Sequence, residues 1–365
     1  MPVTLKFIEP TVELVTEPDL VRKVELAYRI CYKSEDKVSE TSKSLVQRLS
    51  NSRKPNRHTS PLEHSRIIVH VYPQYLEKTL NIIHSAFDCQ LFKFFTIDID
   101  QHAIIGNFRA FHDLMIELTK EDKLGNWMSD YSIIREFGND LHDKFPEVFP
   151  KIGPCPYGDE QSTWMTTDNP PCSTIIAGIK EDTHYKTFRI VTSRDILQEL
   201  VRHRTMSFSV ESTRYCNYEK KGYTFCIPRP YDWAENVHWD ANNLMDATVN
   251  HLEYDSDQVM VHNAYGEGVG IRYDRLGSIA TISKERSMLD VFLANCQLTA
   301  ERYNKCVSVG VPPQEARMLL PGALKTELYM TGTDKQWNHF LVLRNTQEAH
   351  PQIRYLAEQI QKVFE

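Results

Sequence analysis

Between Arg202 and Tyr215 the chain reads Arg-His-Arg-Thr-Met-Ser-Phe-Ser-Val-Glu-Ser-Thr-Arg-Tyr, so Arg202, His203, Arg204 and Arg214 stand among the hydroxyls of Ser207, Ser209, Ser212 and Thr213. The chemistry these side chains share is anion recognition. A guanidinium keeps its charge at any working pH and presents five donors in a rigid fork that matches phosphate oxygens in pairs. A second polar cluster, Arg57-His58-Thr59-Ser60-Pro61-Leu62-Glu63-His64, sets two histidines around a Ser-Pro turn. Each cluster also has a plainer reading. Arginines near a helix C-terminus complement its macrodipole, and histidines flanking Ser-Pro can mark a capped helix start.

The elements around these clusters follow from hydrophobic periodicity. Val3 to Val15 alternates as a strand, Asp19 to Tyr32 carries the helical stripe Leu20, Val24, Ala27 and Cys31, and Ser39 to Leu49 predicts a second helix. The His58 cluster runs into a strand from Arg66 to Val71. Beyond it come a helix from Gln74 to Phe87, an apolar run from Leu91 to Ile99, a periodic run from Ala103 to Leu118, and a loop rich in proline from Pro146 to Pro171. Lys186 to Val191 predicts a strand, and Ser193 an N-cap. The next helix, from Asp195 to Arg204, buries Ile196, Leu197, Leu200 and Val201. That reading puts Arg202, His203 and Arg204 in a last helical turn, where steps of ~100° fan them around the helix end.

Phe208 to Tyr218 and Tyr223 to Ile227 predict a strand-turn-strand unit about Lys220-Lys221-Gly222. Gly266-Glu267-Gly268-Val269-Gly270 lacks the third glycine of a dinucleotide fingerprint and predicts a loop. Ser287 to Ser308 predicts a long amphipathic helix, and Pro312-Pro313 opens the next element. Near the end, Trp337, Phe340, Leu341 and Leu343 suit a core, with Arg344 a surface cation.

Composition narrows the classes. The 365 residues include 49 acidic and 42 basic side chains, a formal net charge of -7, which argues against a nucleic-acid backbone as the main partner. No run approaches the roughly 18 to 20 apolar residues of a membrane span, and a cytoplasmic protein is expected. The cysteines at 31, 89, 155, 172, 216, 226, 296 and 306 have no Cys-x-x-Cys or zinc-ligand spacing, so free thiols and no metal are expected. Cys216 is the one thiol beside the arginine cluster and hence the nominal candidate for a covalent nucleophile.

The string Arg202-His203-Arg204, seven residues, Ser212 and then Arg214-Tyr215 resembles the signature of the flavin-dependent thymidylate synthases. His58, Ser60, Glu63 and His64 resemble that family's His-x-Ser/Thr-Pro-x-Glu-His segment. Glu315-Ala316-Arg317-Met318-Leu319-Leu320-Pro321 resembles its third region, and Phe340 with Arg344 its final helix. The chain departs from the pattern at Ser209 and Val210, where Asn and Glu or Gln are usual, and at Thr333 and Lys335, where Asn and Arg are common. Glu211, beside the first gap, could substitute for the missing polar contact.

The resemblance implies an α+β fold, a mixed sheet with flanking helices. It also implies one domain over 1–365 interrupted by a large insertion at 73–185. It implies reductive methylation of dUMP to dTMP, with FAD as cofactor and NADPH and methylenetetrahydrofolate as co-substrates, in a homotetramer whose sites are shared between chains. Carried over residue by residue, Ser212, Arg214 and Arg317 would take the dUMP phosphate, Arg344 the uracil ring, and Glu199, where Gln is frequent, the ribose. His58, Ser60, Arg202, His203, Arg204, Thr333 and Lys335 would line FAD, and His58 would also guide the folate. Ser212, Arg344 and His58 form the implied catalytic set. A related pyrimidine nucleotide hydroxymethylase, or a nucleotide-binding protein without activity, remains open at this point.

Overall fold

The computed structural model describes residues 4–38, 43–50, 58–86, 95–119, 131–153, 174–214, 216–229, 245–248, 252–255, 258–262, 268–273, 279–281 and 288–365. Its strands are β1 (Thr4–Ile8), β2 (Thr11–Leu14), β3 (Arg66–Val71), β4 (Phe95–Asp98), β5 (Ala103–Asn107), β6 (Ile176–Glu181), β7 (Tyr185–Ser193), β8 (Ser207–Val210), β9 (Tyr223–Cys226), β10 (Met245–Thr248), β11 (Leu252–Asp255), β12 (Gln258–His262), β13 (Gly268–Tyr273), β14 (Ile279–Thr281) and β15 (Lys325–Thr333). The helices are α1 (Leu20–Tyr32), α2 (Lys43–Ser50), α3 (Pro73–Ala86), α4 (Phe108–Leu118), α5 (Tyr131–Lys144), α6 (Arg194–Leu200), α7 (Tyr218–Lys221), α8 (Met288–Ser308), α9 (Pro313–Ala316), α10 (Asp334–Arg344) and α11 (Pro351–Phe364). Helices and sheets mix along the chain in the α+β manner that was expected.

The strands form four sheets, ordered β10-β1-β9, β11-β12-β13-β14, β2-β7-β15-β8 and β4-β5-β3-β6. The third positions the candidate site. Its central strand β15 pairs antiparallel with β7 from Lys325↔Ser193 to Thr333↔Tyr185 and with β8 from Leu328↔Val210 to Thr331↔Ser207. Phe188, Ile190, Leu328, Met330, Trp337, Phe340, Ile353, Leu356 and Ile360 bury the contact of this sheet with α10 and α11. A second core joins α1, β3, α3, β5, α4 and α5. A third lies between β1, β9 and α8.

Several expectations change. Val3 to Val15 is two strands in different sheets, because Pro10 has no backbone N–H to give a ladder. The run from Ala103 to Leu118 switches from strand to helix at Asn107, whose Oδ1 accepts from Ala110 N and caps α4. Helix α5 and strand β6 were not foreseen, and residues 154–173 of the proline-rich stretch lie outside the described residues. Phe208 to Ile227 is no hairpin: β8 pairs with β15, whereas β9 runs parallel to β1. Gly268, Val269 and Gly270 are not loop but the start of β13, in register with β12. Gly266 and Glu267 lie outside the described residues.

The 3-10 turn Ser60–His64 is pinned to the central sheet by His64, which is 1% exposed. Its Nδ1 meets Thr331 Oγ1 at 2.6 Å and its Nε2 meets Ser209 Oγ at 2.8 Å. Burial, reinforced by Lys23, pushes its pKa down to about 3. The folded-state value lies below the unfolded one, so this neutral ring contributes its full stability above about pH 6.5 and loses it as the pH falls towards 3. Between pH 6.5 and 5 the loss from one such group is about 2 kcal/mol. Replacement His64→Gln is expected to flatten the decline, seen as a smaller difference between urea midpoints at pH 7 and pH 5 than in the parent protein.

Candidate functional site

Strand β8 has candidate side chains at both ends. At its start, α6 stops at Leu200 and the chain tightens through Val201 N–Leu197 O (3.1 Å), Arg202 N–Glu199 O (3.3 Å) and His203 N–Leu200 O (3.1 Å). Arg202, His203 and Arg204 therefore follow the helix in turns and are not in its last turn. Val201 is 40% exposed and does not share the buried face of Ile196 and Leu200. Arg202 and Arg204 face solvent, while His203 is buried against Phe340, ring centroids 4.8 Å apart.

Arg344, at the end of α10, reaches this turn. Its Nε donates to His203 Nε2 at 2.9 Å and its Nη1 to Glu199 Oε2 at 3.3 Å. Burial, then the charge of Arg344 and then His339, pushes the His203 pKa down to about 4. At neutral pH the ring is uncharged. Thr333 opens α10 with a capping box, its Oγ1 accepting from Gln336 N and Gln336 Oε1 accepting from Thr333 N. Lys335 is exposed on the first turn of the same helix. Trp337 and Phe340 are core as expected, whereas Leu343 is 49% exposed.

At the other end of β8, Ser212 N donates to Cys31 O at 3.2 Å, and Ser212 Oγ accepts from Arg214 N at 3.3 Å. Arg317 comes from the turn that follows α9, and its Nη1 donates to Thr213 Oγ1 at 3.5 Å. Arg214 and Arg317 are both exposed, and Ser212 and Thr213 are half-buried. Four polar residues from two distant segments thus meet at one end of the strand. Within a single chain this group and the Glu199–His203–Arg344 group stand at opposite ends of β8.

The 3-10 turn lies alongside. His58 Nδ1 stands 3.3 Å from Tyr32 Oη, and its carbonyl accepts from Tyr28 Oη at 2.6 Å, near the α1 turn that also holds Ser212. Burial lowers the His58 pKa. Glu63 O accepts from Tyr185 Oη at 2.8 Å, and Tyr185 Oη lies 3.4 Å from Ser207 Oγ at the start of β8. Ser60, half-buried, opens the turn between these anchors. Arg109 of α4 pairs with the Glu63 carboxylate.

One departure from the family pattern, Ser209, and Glu211 beside the gap acquire definite partners. Ser209 faces inward to His64. Glu211 does not stand in for a ligand contact: it is buried, and its carboxylate is taken by Lys325 Nζ (2.9 Å), Tyr218 Oη (3.3 Å) and Lys33 Nζ (3.5 Å). Glu327 Oε2 also accepts from Lys325 at 2.8 Å, and Glu327 Oε1 from Arg189 Nε at 2.5 Å. Cys216 is 0% exposed in the core with Leu5, Phe7, Tyr218 and Tyr223, a poor place for an attacking thiolate. Cys31, Cys226 and Cys296 are likewise buried, and burial raises the thiol pKa of Cys226 and Cys296.

Sequence reasoning passed over Tyr28, Tyr32 and His339, and it gave Thr213 no ligand role of its own. The tyrosines were readable as an i, i+4 pair on a predicted helix, but only the fold aims them at His58. Among the described residues no cluster of His, Cys, Asp or Glu could hold a metal, and no helix is long and apolar enough to cross a membrane.

Residues 182–365 match the family described as thymidylate synthase complementing protein. The match takes in both ends of β8, Arg317 and Arg344, and leaves out the His58–His64 turn. A flavin-dependent thymidylate synthase of Geobacter sulfurreducens is 26% identical over 165 residues, which cover 45% of this chain and 49% of that one. One from Haloarcula marismortui is 22% identical over 175 residues, 46% of this chain and 57% of its own. A probable one from Paramecium bursaria Chlorella virus 1 is 24% identical over 183 residues, 50% of this chain and 67% of its own. The chain thus spans about half the length of the first two. Among solved structures, the UMP/dUMP methylase PolB of Streptomyces cacaoi with 5-Br dUMP is 22% identical at a TM-score of 0.32, covering 49% of this chain and 65% of that one. Thymidylate synthase X of Helicobacter pylori with FAD and dUMP is 19% identical at 0.29, covering 49% and 66%.

Proposed function

The chain belongs to the thymidylate synthase complementing protein family, the flavin-dependent thymidylate synthases, and on that premise we propose that it converts dUMP to dTMP. In balance, dUMP, methylenetetrahydrofolate, NADPH and a proton give dTMP, tetrahydrofolate and NADP+. The observation that carries this reading is the pairing of Arg317 with Thr213 beside Ser212, whose hydroxyl accepts from the backbone N–H of the exposed Arg214, which brings a guanidinium and two hydroxyls together from segments far apart in sequence. That donor set suits a nucleoside monophosphate.

FAD fits the other end of β8 by the chemistry of its donors: exposed Arg202 and Arg204 flank a buried neutral histidine. His58, Ser60, Thr333 and Lys335 complete the proposed flavin set, with the Thr333 hydroxyl shared with its helix cap. When bound, FAD supplies the redox link between the nicotinamide and the pyrimidine. The protein's own part is alignment and charge. Arg344, held by Glu199 and His203, would meet negative charge developing on the uracil ring, a contribution of about 3 to 4 kcal/mol where water is excluded. Glu199 is also within the set proposed for the ribose. Because the two half-sites occupy opposite ends of β8, a homotetramer in which neighbouring chains complete each site is part of the proposal.

Incubating the protein with dUMP, FAD, NADPH and methylenetetrahydrofolate and weighing the nucleotide tests it. A gain of one methyl group supports the proposal, a hydroxymethyl product points to the hydroxymethylase reading, and unchanged dUMP overturns both. Turnover should survive Cys216→Ser at close to the parental rate, since a thiol sealed in the apolar core needs no reaction with substrate. Complete loss with an unchanged melting temperature would restore a covalent route.

A further inference from the structure

His203 is 9% exposed, and its ring is fixed on two sides, by Phe340 edge-on and by Arg344. An arginine Nε–H can only donate, because a guanidinium has no acceptor. At 2.9 Å from it, His203 Nε2 must therefore present its lone pair, and in the neutral ring the proton resides on Nδ1. Among the described residues Nδ1 has no hydrogen-bond partner. The ring as a whole is nearly covered, but Nδ1 is not among the sealed side-chain atoms that lack a partner, so it opens to solvent where an acceptor can reach it. The charged groups around it are Glu199 on α6, His339 and Arg344 on α10, and Arg202 and Arg204 on its own turn.

We infer that Glu199 and Arg344 are positioning residues that hold His203 as the neutral Nδ1–H tautomer, and that this N–H, between Arg202 and Arg204, donates to an acceptor oxygen of a nucleotide ligand. The ligand half rests on the flavin assignment above; the tautomer half does not. Glu199 acts through Arg344: its Oε2 accepts from Nη1 and its carbonyl lies 3.5 Å from Nη2, so the guanidinium plane is set and Nε points at the ring. The arrangement gives a donor that does not titrate near neutrality. A protonated ring would turn a second N–H towards the guanidinium, which the Arg344 charge opposes.

The test is nitrogen NMR of the full chain labelled at histidine, with the His203 signals assigned by their absence in His203→Gln. At pH 7 the proton should be on Nδ1, and the ring should remain neutral at pH 5.5. Arg344→Met should raise the His203 pKa towards its ordinary value and release the ring into a tautomer mixture. Glu199→Ala should move the signals part of the way in the same direction, and Glu199→Asp should move them less. A ring protonated on Nε2 at pH 7, or His203 signals indifferent to both Arg344→Met and Glu199→Ala, overturns the assignment. Adding FAD should then shift the Nδ1 signal. FAD that binds without moving it overturns the donor role, whereas failure of FAD to bind at all sinks the flavin reading and leaves the tautomer result standing.

Discussion

Replacement of Lys325 by Met is expected to lower the unfolding free energy by about 3 to 5 kcal/mol, the cost of leaving buried charge without its partner. Lys325 Nζ donates to Glu211 at 2.9 Å and to Glu327 at 2.8 Å, and both carboxylates are buried. Burial alone would lower the lysine pKa, but the two carboxylates outweigh it and the net shift is upward. Burial likewise works to raise the Glu327 pKa, but Lys325 and Arg189 reverse it and hold the carboxyl below its usual range. The signs define a pH window. A lysine raised on folding gives its full stability below about pH 10.4 and loses it as the pH climbs through the folded value. A carboxylate lowered on folding gives its stability above about pH 4.3 and loses it as the pH falls through the folded value. The network should thus hold β8 and β15 together across the neutral range. Urea unfolding of Lys325→Met at pH 7 checks the magnitude, and an effect below about 1 kcal/mol would mean that the carboxylates find water.

This network also shows where sequence reading stopped. Glu211 lies 114 residues from Lys325 in the chain, so the ligand role considered for Glu211 could be replaced only once β8 was seen beside β15. The same non-local pairing undid the predicted hairpin over Phe208 to Ile227, since Lys220-Lys221-Gly222 is a short helix with its cap, leading to a strand in another sheet. Signals confined to one segment were legible. The stripe of α1 with Asp19 accepting from Val21 N and Arg22 N, the strand β3 and the long helix α8 lie close to their predicted bounds. At the candidate site the residue types were legible, but not their grouping. His203 with Arg344 and Arg317 with Thr213 are tertiary contacts, and no spacing rule reveals that the two groups occupy opposite ends of one short strand.

That separation makes the nucleotide-phosphate assignment testable apart from the flavin one. Arg214→Ala and Arg317→Ala are each expected to weaken dUMP binding about 10- to 100-fold, the range of one charge-assisted hydrogen bond at roughly 1.5 to 3 kcal/mol. FAD affinity should change little, because Arg202, His203 and Arg204 are at the far end of β8. The double variant should lose less than the product of the two, since both guanidinium groups would share one phosphate and the second loss falls on a contact already weakened. Stability should barely move: both side chains are exposed, and the Arg317–Thr213 contact is long at 3.5 Å. Calorimetric titration with dUMP and with FAD, each alone and then together, separates the effects. Parental dUMP affinity in both single variants would remove the phosphate role from this edge of the sheet. A matched loss of FAD affinity would mean instead that the two ends of β8, brought together from different chains, form one continuous site whose ligands share the same arginines.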